Sequence, residues 1–264
     1  MAEGIKILQV ENPNPQEIEY QPTIQSANTL FHFVGHIKYL FSIIEKMAII
    51  PRYCVEDVDY LDIGIDEIAY PMLCFCDINL HKIQEHMDFY GQYGIAFSKQ
   101  WGISKGIQPI QYVNPKSILR HDFTEAFRAS INGTEEGAAQ NYLQSHMYYL
   151  KPIQGTMQRD KKSVHKNFTD ECEWRFIPDV SRENLPQAIT HADLFSRKKL
   201  NDAIFLCEDC WLKFNAKDIK YIILQTHDEF DQVLAMIEGK DLESKTKTWL
   251  ISKILVWPEV KGDF

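Results

Sequence analysis

Short apolar strand candidates outnumber the helices available to connect them, and no other feature of the sequence constrains the fold as much. Residues 30–34 (LFHFV), 68–75 (IAYPMLCF), 94–98 (GIAFS), 107–113 (IQPIQYV), 173–177 and 219–225 (IKYIILQ) each read as a strand, with 249–256 as a closing one. Helical spacing appears between them irregularly. Ile37, Leu40, Phe41 and Ile44 recur on one face of 36–48, and a segment capped by Asp77 or Asn79 runs to about Tyr90. Further helices are expected at 115–130, 136–150, within 185–205 and near 228–237. A doubly wound parallel sheet needs regular alternation of strand and helix, so the expectation is an α+β chain. It takes the form of a single domain over 1–264 with a mixed or antiparallel sheet and flanking helices. Residues 1–28, with three prolines, read as an extended lead-in with one short strand at 5–10.

With 264 residues and 45% hydrophobic content the chain can bury a full core. It has no apolar run of about 18 residues, and MAEGIKILQVENPNP lacks a basic segment followed by an apolar one. The expectation is a cytoplasmic protein with no membrane span. Its six cysteines sit largely in apolar runs and read as reduced thiols. Cys207-Glu-Asp-Cys210 has no second pair at zinc-site spacing, so no metal is expected. The net charge of −9 excludes a general nucleic-acid coat protein. One local basic stretch, 151–166, offers Lys151, Arg159, Lys161, Lys162 and Lys166, either as a solvated loop or as a nucleic-acid contact. Residues 55–67, with six acids, read as an exposed loop, since the alternating order of a calcium loop is missing.

The polar chemistry concentrates in TDECEWRFIP, residues 169–178. If this segment is extended, Glu171, Glu173 and Arg175 share one face, while Cys172 and Trp174 take the other. Two adjacent carboxylates raise each other's pKa, and a guanidinium holds at least one ionised. Such a face suits hydrogen bonding to a sugar hydroxyl or stabilisation of a cationic anomeric carbon; an exposed salt bridge across strands is the plainer alternative. His32 lies between Phe31 and Phe33 and points away from both rings. Tyr90-Gly91-Gln92-Tyr93-Gly94 sets two aromatic faces in a tight turn, suited to stacking on a base or nicotinamide ring or simply to packing.

In their order, FHFVGHIKYLFSIIEKMAIIPRYCVEDV, YPMLCFCDINLHKIQEHMDFYGQYGIAFSKQWG, QPIQYVN and ECEWRFIP resemble the AbiGi family of bacterial abortive phage-resistance proteins, over roughly residues 30–178. More distantly the pattern resembles ADP-ribosyltransferases, including the DNA-modifying DarT type. That second likeness implies an ADP-ribosyltransferase-like fold with NAD as substrate. His32 would hold the NAD ribose, Tyr90 or Tyr93 would stack on nicotinamide, and Glu173, with Glu171 upstream, would support the cationic transition state. Arg175 would orient the glutamates or a diphosphate. Phe33-Val34 stand where DarT-like sequences offer a hydroxyl. The AbiGi resemblance implies one half of a two-component system. The chain is then either an NAD-dependent toxin or a non-enzymatic antitoxin that regulates a separately encoded toxin.

Overall fold

A computed structural model describes residues 20–133, 137–159, 162–190 and 194–263. The expected strand at 5–10, most of the lead-in and Lys161 lie outside the described residues, as do the side chains of Arg159 and Lys162. The centre is a nine-stranded sheet. Along its path lie Ile254–Val256, Ile219–Leu224, Tyr93–Ser98, Thr29–Val34, Glu67–Cys76, Glu173–Phe176 and Gln108–Pro109, while Arg52–Asp57 and Ile189–Thr190 also pair with the long strand Glu67–Cys76. All pairings in it are antiparallel except that of Ile219–Leu224 with Ile254–Val256. The α+β expectation with a mixed sheet therefore holds.

Alternation along Thr29–Val34 sends Leu30 to one face and Phe31 to the other. Phe31 and Phe33 stack at 5.8 Å on the same face, which leaves His32 on the opposite one. Under the Leu30 face pack Leu40 and Ile44 of the helix Ile37–Lys46, with Val233 and Ile237 of the helix His227–Glu238. The first helix starts at His36, whose ring accepts a hydrogen bond from Lys38 N–H. The second starts at a capping box of Thr226 and Glu229. On the Phe31 face, Ile83 and Met87 of the helix Ile83–Tyr90 pack with Trp257. Helices thus cover both faces of the sheet.

Three stretches differ from expectation. Residues 55–57, read as the start of an acidic loop, belong to the strand Arg52–Asp57 in full register with the long strand, from Arg52 opposite Met72 to Asp57 opposite Glu67. Acid density suggested solvent, but Glu56 has a distant ion-pair partner that permits its partial burial. The basic stretch 151–166 is largely a hairpin, Gln154–Arg159 with Lys162–Asn167. A two-stranded ribbon satisfies its backbone locally and needs no apolar face, so periodicity does not announce it. Residues 249–256 split into the end of the helix Ser244–Ile251 and the strand Ile254–Val256, because Leu250 closes the core as part of the helix.

The sheet forks where the site lies. Thr29–Val34 pairs with Tyr93–Ser98 over six positions but with the long strand only at Phe31 opposite Cys76. Arg52–Asp57 takes up the other half of the long strand, residues 67–72. Between these contacts the His32 ring, not a backbone group, meets the carbonyl of Cys74, with Nδ1 at 2.9 Å.

Candidate functional site

Glu173 begins the strand that pairs with Leu73–Cys76. Glu171 does not share that strand. It ends a 3-10 turn, Phe168–Glu171, and Cys172 follows in the left-handed region at φ 43°. The extended geometry expected for 171–173 is therefore broken at Cys172. Even so, the two carboxylates converge, because the turn swings Glu171 towards the same lysine. Both are nearly fully buried.

That lysine is Lys151, whose Nζ lies 2.5 Å from Glu171 Oε2 and 2.9 Å from Glu173 Oε2. Glu173 Oε1 accepts from Arg175 Nε at 2.6 Å, and Glu171 Oε1 accepts from Tyr90 Oη and lies 3.1 Å from Lys166 Nζ. All four carboxylate oxygens are engaged. Arg175, fully buried, donates further to Tyr70 Oη at 2.5 Å, to the Tyr148 carbonyl at 2.7 Å and to Glu56 Oε2 at 2.7 Å. The Glu173 N–H donates to Tyr112 Oη at 2.9 Å, which pins the strand start.

The electrostatics follow from this pairing. Burial alone would push the Glu173 carboxyl up, but Arg175 and Lys151 outweigh it and hold the group well below the usual carboxylate range. Burial disfavours the Lys151 ammonium, yet Glu173, Glu56 and Glu171 together raise its pKa well above the ordinary value. Lys166 is lowered, first by burial and then by the neighbouring Lys151, against the pull of Glu171. Burial raises the Tyr90 hydroxyl, and the adjacent Glu171 adds to it. His86, its ring 4.5 Å from that of Tyr90 and tilted by 35°, is lowered to about 4, chiefly by burial and then by Lys166. Burial also lowers His32, so its ring is neutral and holds the Cys74 carbonyl through Nδ1–H.

A cavity of about 240 Å³ joins His32, Tyr90, Glu171 and Glu173, with Glu56, Lys151 and His86 also in its wall. Four of the expected site residues are thus brought together, and Arg175 supports them from behind. Tyr93 is not among them. Its hydroxyl donates to Glu229 Oε1 at 2.7 Å, on the side of the helix His227–Glu238. Gly91 permits this divergence of the two tyrosines: it sits at φ 153°, and a Cβ there would stand 2.3 Å from the Val34 carbonyl carbon.

Lys151 and Lys166, read as part of a solvated loop or a nucleic-acid contact, fit neither alternative in their placement. Both ammoniums turn inward onto Glu171, and Lys166 also lies over the rings of Phe89 and Tyr90 at 4.1 and 4.2 Å. Sequence reasoning missed Glu56 and the counterion role of Lys151. A charge count offered the one available signal, since a buried strand with two acids and one arginine requires a further cation. Among the described residues no cluster of three or more His, Cys, Asp or Glu side chains is arranged to hold a metal, and no helix is long and apolar enough to cross a membrane.

Comparison with known proteins agrees with the resemblance in the motifs. The family model "Putative abortive phage resistance protein AbiGi, antitoxin" matches residues 47–225, which reaches further towards the C-terminus than the motifs and begins after the His32 strand. The abortive phage resistance protein AbiGi of Lactococcus lactis subsp. cremoris is 34% identical over 249 residues, covering 83% of this chain and 100% of that protein. No solved structure matches the chain significantly. By the extent of both matches, the chain belongs to the AbiGi family of abortive phage-resistance proteins.

Proposed function

We propose that this chain is the antitoxin half of an abortive-infection pair, restraining a separately encoded toxin by binding it rather than by chemistry. One observation carries the reading: every oxygen of Glu171 and Glu173 is already engaged by Lys151, Lys166, Arg175 or Tyr90. A carboxylate that stabilises a developing cation must present uncompensated negative charge to it. Here the charge is cancelled inside the protein, which suits a scaffold held rigid by a buried ionic network. The description of the family model as an antitoxin supports the same conclusion.

A second reading has its own support. The cavity that joins His32, Tyr90, Glu171 and Glu173 is what an NAD-dependent transferase with an ADP-ribosyltransferase-like fold would need. On that reading a substrate displaces Lys151 or Lys166 and frees Glu173.

The deciding experiment expresses the chain beside the toxin of its system and follows growth and phage plaquing, while the purified protein is incubated with labelled NAD. The antitoxin reading expects relief of toxicity and co-purification of the two proteins, with no release of nicotinamide. Nicotinamide release or label transfer that disappears in a folded Glu173→Gln protein would overturn it in favour of the transferase.

A further inference from the structure

On the far side of His32 lies a second and larger cavity, of about 440 Å³, in the fork between Thr29–Val34 and Arg52–Asp57. Its floor is apolar, with Ile43, Ala48 and Ile49, and two exposed aromatic rings, Tyr39 and Phe205, stand in its wall. At Arg52, Asn201 and Asp202 it runs into an open groove that also carries Arg197 and Lys198.

The groove is unusual in its cations. Among the described residues neither Arg52 nor Arg197 makes a salt bridge, and Arg197 Nε is a buried donor without a hydrogen-bond partner. A buried unpaired donor costs free energy, and a ligand oxygen would recover it. Lys198, by contrast, is matched by Asp202 at 2.6 Å. The helix Ile37–Lys46 adds two more cations: Lys38 lies over the Tyr39 ring at 5.0 Å and Lys46 over the Phe205 ring at 5.5 Å. In a chain of net charge −9, five cations with one nearby acid form a local positive field.

The ligand must therefore combine two chemistries. It needs a flat, largely apolar ring for the cavity with its aromatic walls, and an oxyanion for paired guanidiniums, the geometry that favours phosphate. The volume lies within the range usual for small-molecule sites. We propose that the fork binds a nucleoside 5′-phosphate, with its base in the cavity beside Tyr39 and Phe205 and its phosphate between Arg52 and Arg197. Asn201, whose Oδ1 accepts from Tyr53 N–H at 2.7 Å, lines both the cavity and the groove, at the junction where the sugar lies.

Isothermal titration of the full chain tests this with AMP, GMP, CMP and UMP, and with adenosine and inorganic phosphate as half-ligands. At least one nucleotide binds below about 1 mM, and its nucleoside and phosphate alone are each weaker by about tenfold or more. Arg52→Ala and Arg197→Ala each weaken binding by about tenfold, whereas Lys105→Ala, outside the fork, retains the parent affinity. Ser42→Trp places an indole in the cavity and abolishes binding; Arg52, exposed at a strand end, gives a variant whose folding does not depend on the core. Three results would overturn the proposal: no nucleotide binding at about 1 mM, phosphate alone binding as tightly as any nucleotide, or arginine variants that keep the parent affinity.

Discussion

Lys151→Met removes one ammonium from between two buried carboxylates while keeping a side chain of similar length. Glu171 and Glu173 both lie within hydrogen-bonding distance of that nitrogen, so the variant leaves them facing each other. At roughly 5 Å, with an effective dielectric constant near 20, their repulsion is about 3 kcal/mol. Breaking a buried ion pair by removing one partner costs about 3–5 kcal/mol. Glu173 keeps Arg175, and Glu171 keeps Lys166 and Tyr90, which places the expected loss at about 3 kcal/mol. In thermal unfolding at pH 7 this is a fall in Tm of roughly 6–12 °C. The pH profile carries the sign. In the parent, Glu173 is depressed below its unfolded value of about 4.3, so its contribution is present above that pH and is lost as acid protonates it. In the variant, without Lys151, the Glu173 carboxyl is held down by Arg175 alone and protonates at higher pH than in the parent, so the penalty is largest at neutral pH and fades as acid protonates it. Parent and variant should therefore differ most at pH 7 and converge in acid, and adding Glu171→Gln to the variant should restore about 1–2 kcal/mol. A loss below about 1 kcal/mol at pH 7, the size of a surface pair, or one that does not change with pH, would refute the buried-network account.

Other perturbations test the surroundings of the cavity. His86→Gln should flatten the pH dependence of stability above pH 5: the parent ring stays neutral down to about 4, so its share is intact above about 6.5 and is lost between 6.5 and 4, on the order of 3 kcal/mol in all. Chemical denaturation from pH 5 to 7.5 reads this, and equal slopes in parent and variant would contradict it. Gly91→Ala forces a Cβ onto the Val34 carbonyl carbon and should cost about 3 kcal/mol by urea unfolding, with no comparable loss at Gly137→Ala, where a Cβ meets open space. Tyr93→Phe should cost about 1 kcal/mol, the worth of its bond to Glu229, and leave the cavity's pH profile unchanged.

Several elements were legible because local periodicity and long-range packing agree. LFHFV alternates, and its two faces do feed two separate cores; of the residues its spacing marks, the helix after Gly35 buries Leu40 and Ile44 and packs Ile37 and Phe41, partly buried, against the same core. The segment around Glu173 was readable as a polar strand, whereas the meeting of His32, Tyr90, Glu171 and Glu173 at one cavity was only implied by the transferase-like resemblance and is set by the pairing of strands distant in sequence. What was not legible depends on contacts distant in sequence. Glu56 looks like one acid among six until Arg175, 119 residues away, reaches it. Lys151 and Lys166 look like a solvated run until the hairpin between them folds back over Glu171. Tyr93 and Tyr90 are equivalent in sequence, and only the close approach of Gly91 to Val34 sends them to different partners.

The two cavities on either side of His32 show what charge pairing does to a site. On one side, Glu56, Glu171 and Glu173 face Lys151, Lys166 and Arg175, three charges of each sign, with the central guanidinium fully buried. Such a network resists any ligand, since a newcomer must replace short bonds in a medium where each is strong. On the other side, neither Arg52 nor Arg197 makes a salt bridge among the described residues, and the adjoining cavity is roomier. A ligand entering there breaks no ion pair between protein groups and gives the guanidiniums the partners they lack. The balance of these costs assigns rigidity to the cavity that holds the transferase-like motif and recognition to its neighbour. His32, neutral and bonded to the Cys74 carbonyl, lines both cavities together with Phe33.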